Sequence, residues 1–290
     1  MHTQQRRAAF RKKIEARDGL LIAGAFNALS ARVIEDLRFE AAYLTGAGVN
    51  NMALGLPDLS FAGLSEIADH TARIRDVVDL PLVVDADTGF GNAINVRHTV
   101  KVLERSGADA IQLEDQHFPK RCGHFEGKSL IETAEMVAKI KAAVDARSDP
   151  NLLIVGRTDA CGVSGFEDAL DRAGKFAEAG ADILFVEAIP TLAQIQKLPA
   201  QLQRPLLINI VLGGKTPVIA QAELARMRYG LVLYANTALQ GALLGMQRSL
   251  EKLKVDGYLE EDSGVVASFP ERQRLVGKPA IDALSERYVS

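Results

Sequence analysis

Eight short apolar runs recur along this chain of 290 residues, each followed by polar residues and then by a helix-patterned segment. They occupy 20–25, 42–45, 80–84, 110–113, 152–156, 182–186, 205–208 and 231–234. None alternates apolar with polar residues, which is how strands buried on both faces of a parallel sheet read. Helical spacing fills the gaps at 28–37, 64–78, 93–106, 133–146, 166–179, 192–202 and 220–228. Two helix ends share a phrase, Arg105-Ser-Gly-Ala-Asp109 and Glu178-Ala-Gly-Ala-Asp182. Its glycine suits a left-handed cap before the next strand. Eight strand–helix units in about 250 residues predict an α/β chain with a (β/α)8 barrel of the TIM type. A doubly wound sheet fits less well, because no early Gly-x-Gly-x-x-Gly turn is present.

The barrel is expected over 1–255. The helical pattern at 237–255, a polar stretch at 256–264 and a last amphipathic segment at 270–288 exceed what closure needs. The residues 256–290 therefore read as a helical arm, either a local cover or a contact with another subunit. A net charge of −3 gives no reason to expect nucleic acid or an anionic membrane as partner. No apolar run approaches the ~18 residues of a membrane span. The basic segment 1–17 has no apolar stretch of a secretory signal and reads as a solvated helix. The two cysteines, Cys122 and Cys161, are far apart in sequence, which favours a reducing, cytoplasmic setting over a disulfide framework.

In a parallel barrel the C-terminal strand ends face one pocket. Collecting them gives Thr45, Gly46, Ala47 and Gly48, then Asp85 and Asp87, Glu114 and Asp115, Arg157 and Asp159, Glu187 and Asn209. Any one acid alone is more simply a helix cap or a solvated residue. Six strands placing polar groups at one end require another explanation. Buried carboxylates need a counter-charge, so acids ending adjacent strands suggest a cage for Mg2+ or Mn2+. Arg157 suits a bidentate carboxylate contact. The glycines let backbone N–H groups approach an anion. Cys122 follows Lys120 and Arg121 and precedes His124; positive neighbours are expected to lower its thiol pKa. Cys161 reads as a small core or loop residue, and His70, His98 and His117 show no ligand spacing. Gly213-Gly-Lys-Thr216 lacks the first glycine of a phosphate loop, position 209 being Asn.

These residues resemble a known family. Asp85-Ala-Asp-Thr-Gly-Phe-Gly-Asn92, Glu114-Asp-Gln116 and Lys120-Arg-Cys-Gly-His124 are similar to the isocitrate lyase / phosphoenolpyruvate mutase superfamily. The similarity runs from Gly24-Ala-Phe-Asn through Tyr43-Leu-Thr-Gly-Ala-Gly48, Gly55-Leu-Pro-Asp58, Gly156-Arg-Thr-Asp159 and Phe185-Val-Glu-Ala188 to Asn209 and Gly213–Pro217. The resemblance implies a Mg2+-dependent carbon–carbon lyase acting on a di- or tricarboxylic 2-hydroxy acid and releasing a 2-keto acid such as pyruvate. It implies Asp58, Asp85, Asp87 and Glu114 as the metal cage, partly through water. Thr45, Gly46 and Ala47 would hold the keto-acid half, and Arg157, Glu187, Asn209 and the Gly123 backbone the departing carboxylate. Cys122, on a mobile loop, would protonate the carbanion. Tyr43 or a metal-bound water would take the hydroxyl proton. A homotetramer with swapped C-terminal helices is also implied.

The branch is read from two departures. Methylisocitrate lyases carry an arginine after strand eight, where this chain has Gln240. The phrases at 122–128 and 213–217 look more like 2,3-dimethylmalate and 2-alkylmalate lyases. An oxaloacetate hydrolase and a carboxyphosphonoenolpyruvate phosphonomutase are the alternatives. The stretch Tyr234-Ala-Asn-Thr237 lacks the serine of the first, and Cys122 argues against the second. A non-catalytic barrel is the remaining reading, and the complete set of site residues disfavours it.

Overall fold

A computed structural model describes residues 2–289. Eight parallel strands close into a barrel in sequence order: β1 (Leu20–Ala25), β2 (Ala42–Leu44), β3 (Leu82–Asp85), β4 (Ala110–Glu114), β5 (Leu153–Thr158), β6 (Ile183–Val186), β7 (Leu206–Asn209) and β8 (Leu231–Tyr234). Around them run α1 (Thr3–Ala16), α2 (Ala28–Asp36), α3 (Gly46–Val49), α4 (Leu64–Arg75), α5 (Ala93–Ser106), α6 (Thr133–Ala146), α7 (Phe166–Glu178), α8 (Leu192–Gln201), α9 (Gln221–Arg226) and α10 (Thr237–Asp256). Two further helices, α11 (Phe269–Leu275) and α12 (Lys278–Val289), replace the single segment expected at 270–288; Gly277, at φ 75°, separates them. Among the described residues no helix is long and apolar enough to cross a membrane.

Strand alternation sorts the core into two layers. Ile22, Tyr43, Val83, Val155, Phe185 and Leu233 fill the barrel interior. Leu44, Val84, Ile111, Leu113, Ile154 and Leu184 face outward against the helices. Both faces are dry, which is why the strands read as continuous apolar runs. Strands β3, β4 and β5 reach further than their apolar runs, so Asp85, Glu114, Arg157 and Thr158 lie within strands and inherit their rigidity.

The basic N-terminus is a helix, but it is not solvated on all sides. Phe10 and Ile14 of α1 plug the N-terminal end of the barrel, and Arg6 and Arg7 are buried. Their counter-charge is Asp109, the last residue of the first repeated phrase. It accepts from Arg6 Nε (3.0 Å), Arg75 Nη2 (2.8 Å) and the Leu82 N–H (2.9 Å). Asp182, ending the second, accepts likewise from Arg11 (2.9 Å), Arg147 (2.7 Å) and the Ile154 N–H (2.9 Å). Each aspartate thus ties the start of the preceding odd strand to arginines at the barrel floor.

Candidate active site

The opposite end of the barrel collects the polar strand ends. Asp85 closes β3, its Oδ2 accepting from the Gly46 N–H (3.3 Å) and its Oδ1 from Gln112 Nε2 (3.1 Å). Asp87 follows in the left-handed region, at φ 47°, which turns its carboxylate back toward Asp85. A Cβ on Gly46 would stand 3.2 Å from both carboxylates, so glycine lets the β2 loop lie against them. Ser60 Oγ donates to Asp87 at 3.1 Å. The Lys120 ammonium, itself buried, pairs with Asp58 and lies 3.3 Å from Asp87. Glu114 accepts from Gln116 Nε2 (3.0 Å) and stands 3.2 Å from Arg157 Nε.

Arg157 is the hub on the other side. Asp159 holds it bidentately at 2.9 and 3.2 Å, its Nη2 reaches Glu187 at 3.4 Å, and its guanidinium lies 5.1 Å from the Phe185 ring centroid. Asn209 Nδ2 donates to Glu187 (3.4 Å), while Asn209 Oδ1 is buried without a partner. Gly123 presses on this group: a Cβ there would meet Glu187 Cγ at 2.4 Å and Arg157 Nη2 at 2.5 Å. Above it lies a cavity of ≈ 580 Å³, bordered by Ala47, Asp58, Cys122, His124, Val211 and Asn236 among others.

Burial governs the proton balance. It pushes Asp87 up to about 6 despite Lys120, and holds Glu114 well above the usual carboxylate range despite Arg157. For Glu187 burial also pushes upward, but Arg157, His124 and the Ala188 N–H outweigh it and bring the group to about 2. The Cys122 thiol moves upward, contrary to the expectation from its sequence neighbours. Burial is the main cause, and Asp58 and Glu187 add to it; Lys120 is meanwhile paired with acids. This direction favours the thiol over the thiolate. Tyr43 lies inside the barrel beneath these groups, where burial and Asp85 hold its hydroxyl protonated well above the ordinary value. This direction disfavours a tyrosinate.

Asp58, Asp85, Asp87 and Glu114 come together, yet among the described residues no group of three or more acidic, His or Cys side chains forms a ready-made metal shell. The donor set nonetheless fits a hard divalent cation. Six buried acids (Asp58, Asp85, Asp87, Glu114, Asp159 and Glu187) share Lys120, Lys128 and Arg157. Burial drives Asp87 and Glu114 upward, and neighbouring acids add to it, Asp85 and Asp58 at Asp87 and Asp159 and Asp85 at Glu114. Thr45 caps α3, its Oγ1 accepting from the Gly48 N–H (3.3 Å), and presents Gly46 and Ala47 to the cavity side of the acids.

Other residues fall outside this group. Asp115 accepts from Thr158 Oγ1 (2.7 Å), the Asp159 N–H (2.9 Å) and Arg172 (3.3 Å), bracing β5 from behind. Cys161 is half-buried against the outer core. Sequence reasoning missed Ser60, Gln112, Gln116 and Lys128. Lys128 has an almost fully buried ammonium that bonds the Gly123 carbonyl and lies 3.0 Å from Asp159.

The family described as phosphoenolpyruvate phosphomutase matches residues 10–254. The 2-methylisocitrate lyase of Aeropyrum pernix is 46% identical over 247 residues, covering 85% of this chain and 79% of that one. A crystal structure of 2,3-dimethylmalate lyase, described as a PEP mutase/isocitrate lyase superfamily member, superposes with TM-score 0.92 at 32% identity, over 97% of this chain and 95% of that one. A phosphonopyruvate hydrolase complex with oxalate and Mg2+ superposes with TM-score 0.88 at 28% identity, over the full length of both.

Proposed function

We propose a reaction for this chain from one premise: it belongs to the PEP mutase/isocitrate lyase superfamily. It is a carbon–carbon lyase that cleaves a 2-hydroxy dicarboxylate to a 2-keto acid and a carboxylate. The observation that carries this reading is the placement of Cys122, which borders the cavity with His124 while the adjoining Gly123 packs against Arg157 and Glu187. A phosphoryl-transferring relative has no use for a proton donor there.

Asp87, Asp85, Asp58 and Glu114 would hold a Mg2+ ion, or Mn2+ in its place, and the ion would supply charge stabilisation to the 2-oxygen and C1 carboxylate of the substrate. Thr45, Gly46 and Ala47 orient the keto-acid half, and Tyr43 donates a hydrogen bond from below. The C2–C3 bond breaks, and its electron pair passes to C3 and the adjoining carboxylate. Arg157 and Asn209 stabilise that charge with the Gly123 backbone, and Cys122 gives its proton to C3. Water is the better acceptor for the hydroxyl proton, since Tyr43 is held protonated.

The cavity favours a dicarboxylate over a tricarboxylate. Its lining offers one lysine, Lys215, already paired with Glu126, and Gln240 lies outside it on an exposed turn of α10. Pyruvate release coupled to lactate dehydrogenase tests this, with Mg2+ and then with chelator. 2,3-Dimethylmalate or a 2-alkylmalate should turn over and 2-methylisocitrate should lag. Preference for 2-methylisocitrate would overturn the substrate assignment, and a silent panel the lyase itself. The free thiols Cys122 and Cys161 suit a reducing cytoplasm.

The partner is a second copy of this chain, within a homotetramer. The helix after β8 of such a barrel ordinarily packs over the seam of β8 and β1. Here α10 buries no residue, and Leu243, Met246, Leu250 and Leu253 form an exposed stripe. A groove of ≈ 530 Å³ lies open beside β1, its apolar side formed by Leu20, Leu21, Leu37 and Phe39 and its polar side by Lys13, Asp18, Arg38, Glu40 and Gln221. An amphipathic helix from another subunit is the occupant proposed for it.

A further inference from the structure

The Gly213-Gly214-Lys215-Thr216 phrase takes no part in the chemistry above, yet it lies against the loop that carries Cys122. The backbone N–H of Lys215 donates to His124 Nδ1 at 3.0 Å. A nitrogen that accepts carries no proton, so the ring proton of His124 sits on Nε2. Nε2 faces Glu187 Oε1 at 3.3 Å and is buried with no other partner. Gly214 makes the approach possible. A Cβ there would lie 2.7 Å from Nδ1 and 2.9 Å from Cε1 of His124. The backbone of Gly214 is not left-handed, so the need is for space. On the far side, Lys128 fastens the same loop to Asp159.

We propose that His124 and the Lys215 N–H form a latch that shuts the Cys122 loop against the loop after β7, with Gly214 as its seat. This rests on Cys122 being the lid-borne proton donor. His124 is then a positioning residue: one ring nitrogen joins the two loops, and the other aims its proton at Glu187 beside Arg157. The Lys215 side chain is not the latch, because its pair with Glu126 is exposed, and exposed pairs hold little.

The test reads the loop directly. With Mg2+ and oxalate bound, nitrogen NMR of labelled histidine should show His124 protonated on Nε2, and trypsin should cut slowly at Arg121. Gly214→Ala should speed that cut and lower kcat, each by about ten-fold or more, the scale on which small misplacements act. Glu126→Ala, which removes the partner of that exposed pair, should change neither. If Gly214→Ala fails to fold, His124→Asn, which keeps an acceptor near Nδ1, should stay protected, and His124→Gln should not. An Nδ1-protonated ring, a protected Gly214→Ala loop, or a loop opened by Glu126→Ala would each overturn the latch. Full turnover by Cys122→Ser would overturn the proton-donor role of Cys122 instead, since tautomer and proteolysis are read without turnover.

Discussion

Gly123 is set by space. The atoms its Cβ would strike belong to Arg157 and Glu187, the pair assigned above by proposal to the departing carboxylate. Gly123→Ala must displace the guanidinium or lift the loop, and a shift of about 1 Å at such a place costs on the order of 100-fold in kcat/KM. Steady-state kinetics against thermal unfolding would separate this from a folding defect. Cys122→Ser replaces the thiol by a weaker acid of similar size. Turnover should fall about 10²–10⁴-fold, the usual range for a positioned general acid, while calorimetric binding of Mg2+ and oxalate stays within a few-fold. Glu187 gives a pH signature. Its folded pKa, about 2, is below its ordinary 4.5. It therefore contributes stability above pH 4.5 that is lost as pH falls through about 2, on the order of 3 kcal/mol in all. Acid unfolding of Glu187→Gln should be correspondingly less steep over that window.

At the scale of elements, the strand ends fix the chemistry. Asp85, Glu114 and Arg157 end apolar runs, so their place on one rim follows from the barrel alone and was legible in the sequence. The eight strands and the limits of α5 and α6 were legible for the same reason. What could not be read were pairings between distant residues. Lys120 meets Asp58 62 positions away, and no local pattern records that. The thiol of Cys122 was misjudged on the same account: its neighbours in sequence spend their charge elsewhere in space. The floor of the barrel was also hidden, because Asp109 and Asp182 read as cap-and-turn residues. Asp109 is fully buried beneath Arg6, Arg7 and Arg75. Asp109→Ala removes the carboxylate that Arg6 and Arg75 pair with, while Arg7 keeps Glu104 and Asp149, and should cost about 3–5 kcal/mol, read as a lowered denaturant midpoint with the rim chemistry intact.

For the whole molecule, the unpartnered stripe of α10 is decisive. Light scattering should show a tetramer at micromolar concentration. Leu250→Glu with Leu253→Glu, on exposed positions that touch no core residue, should lower the assembly state without unfolding the barrel. A monomeric wild type would remove the partner from the proposal.

The plug at the barrel floor bears on how the chain is made. Helix α1 precedes all eight strands in the chain, yet its bonds reach 103 residues ahead to Asp109, 142 to Asp149 and 171 to Asp182. Its docking site is therefore incomplete until at least five strands exist and the chain has reached the edge of β6. Contacts of such sequence separation form late. Pulse-labelled hydrogen exchange during refolding should find the amides of α1 protected together with β6, and not before it.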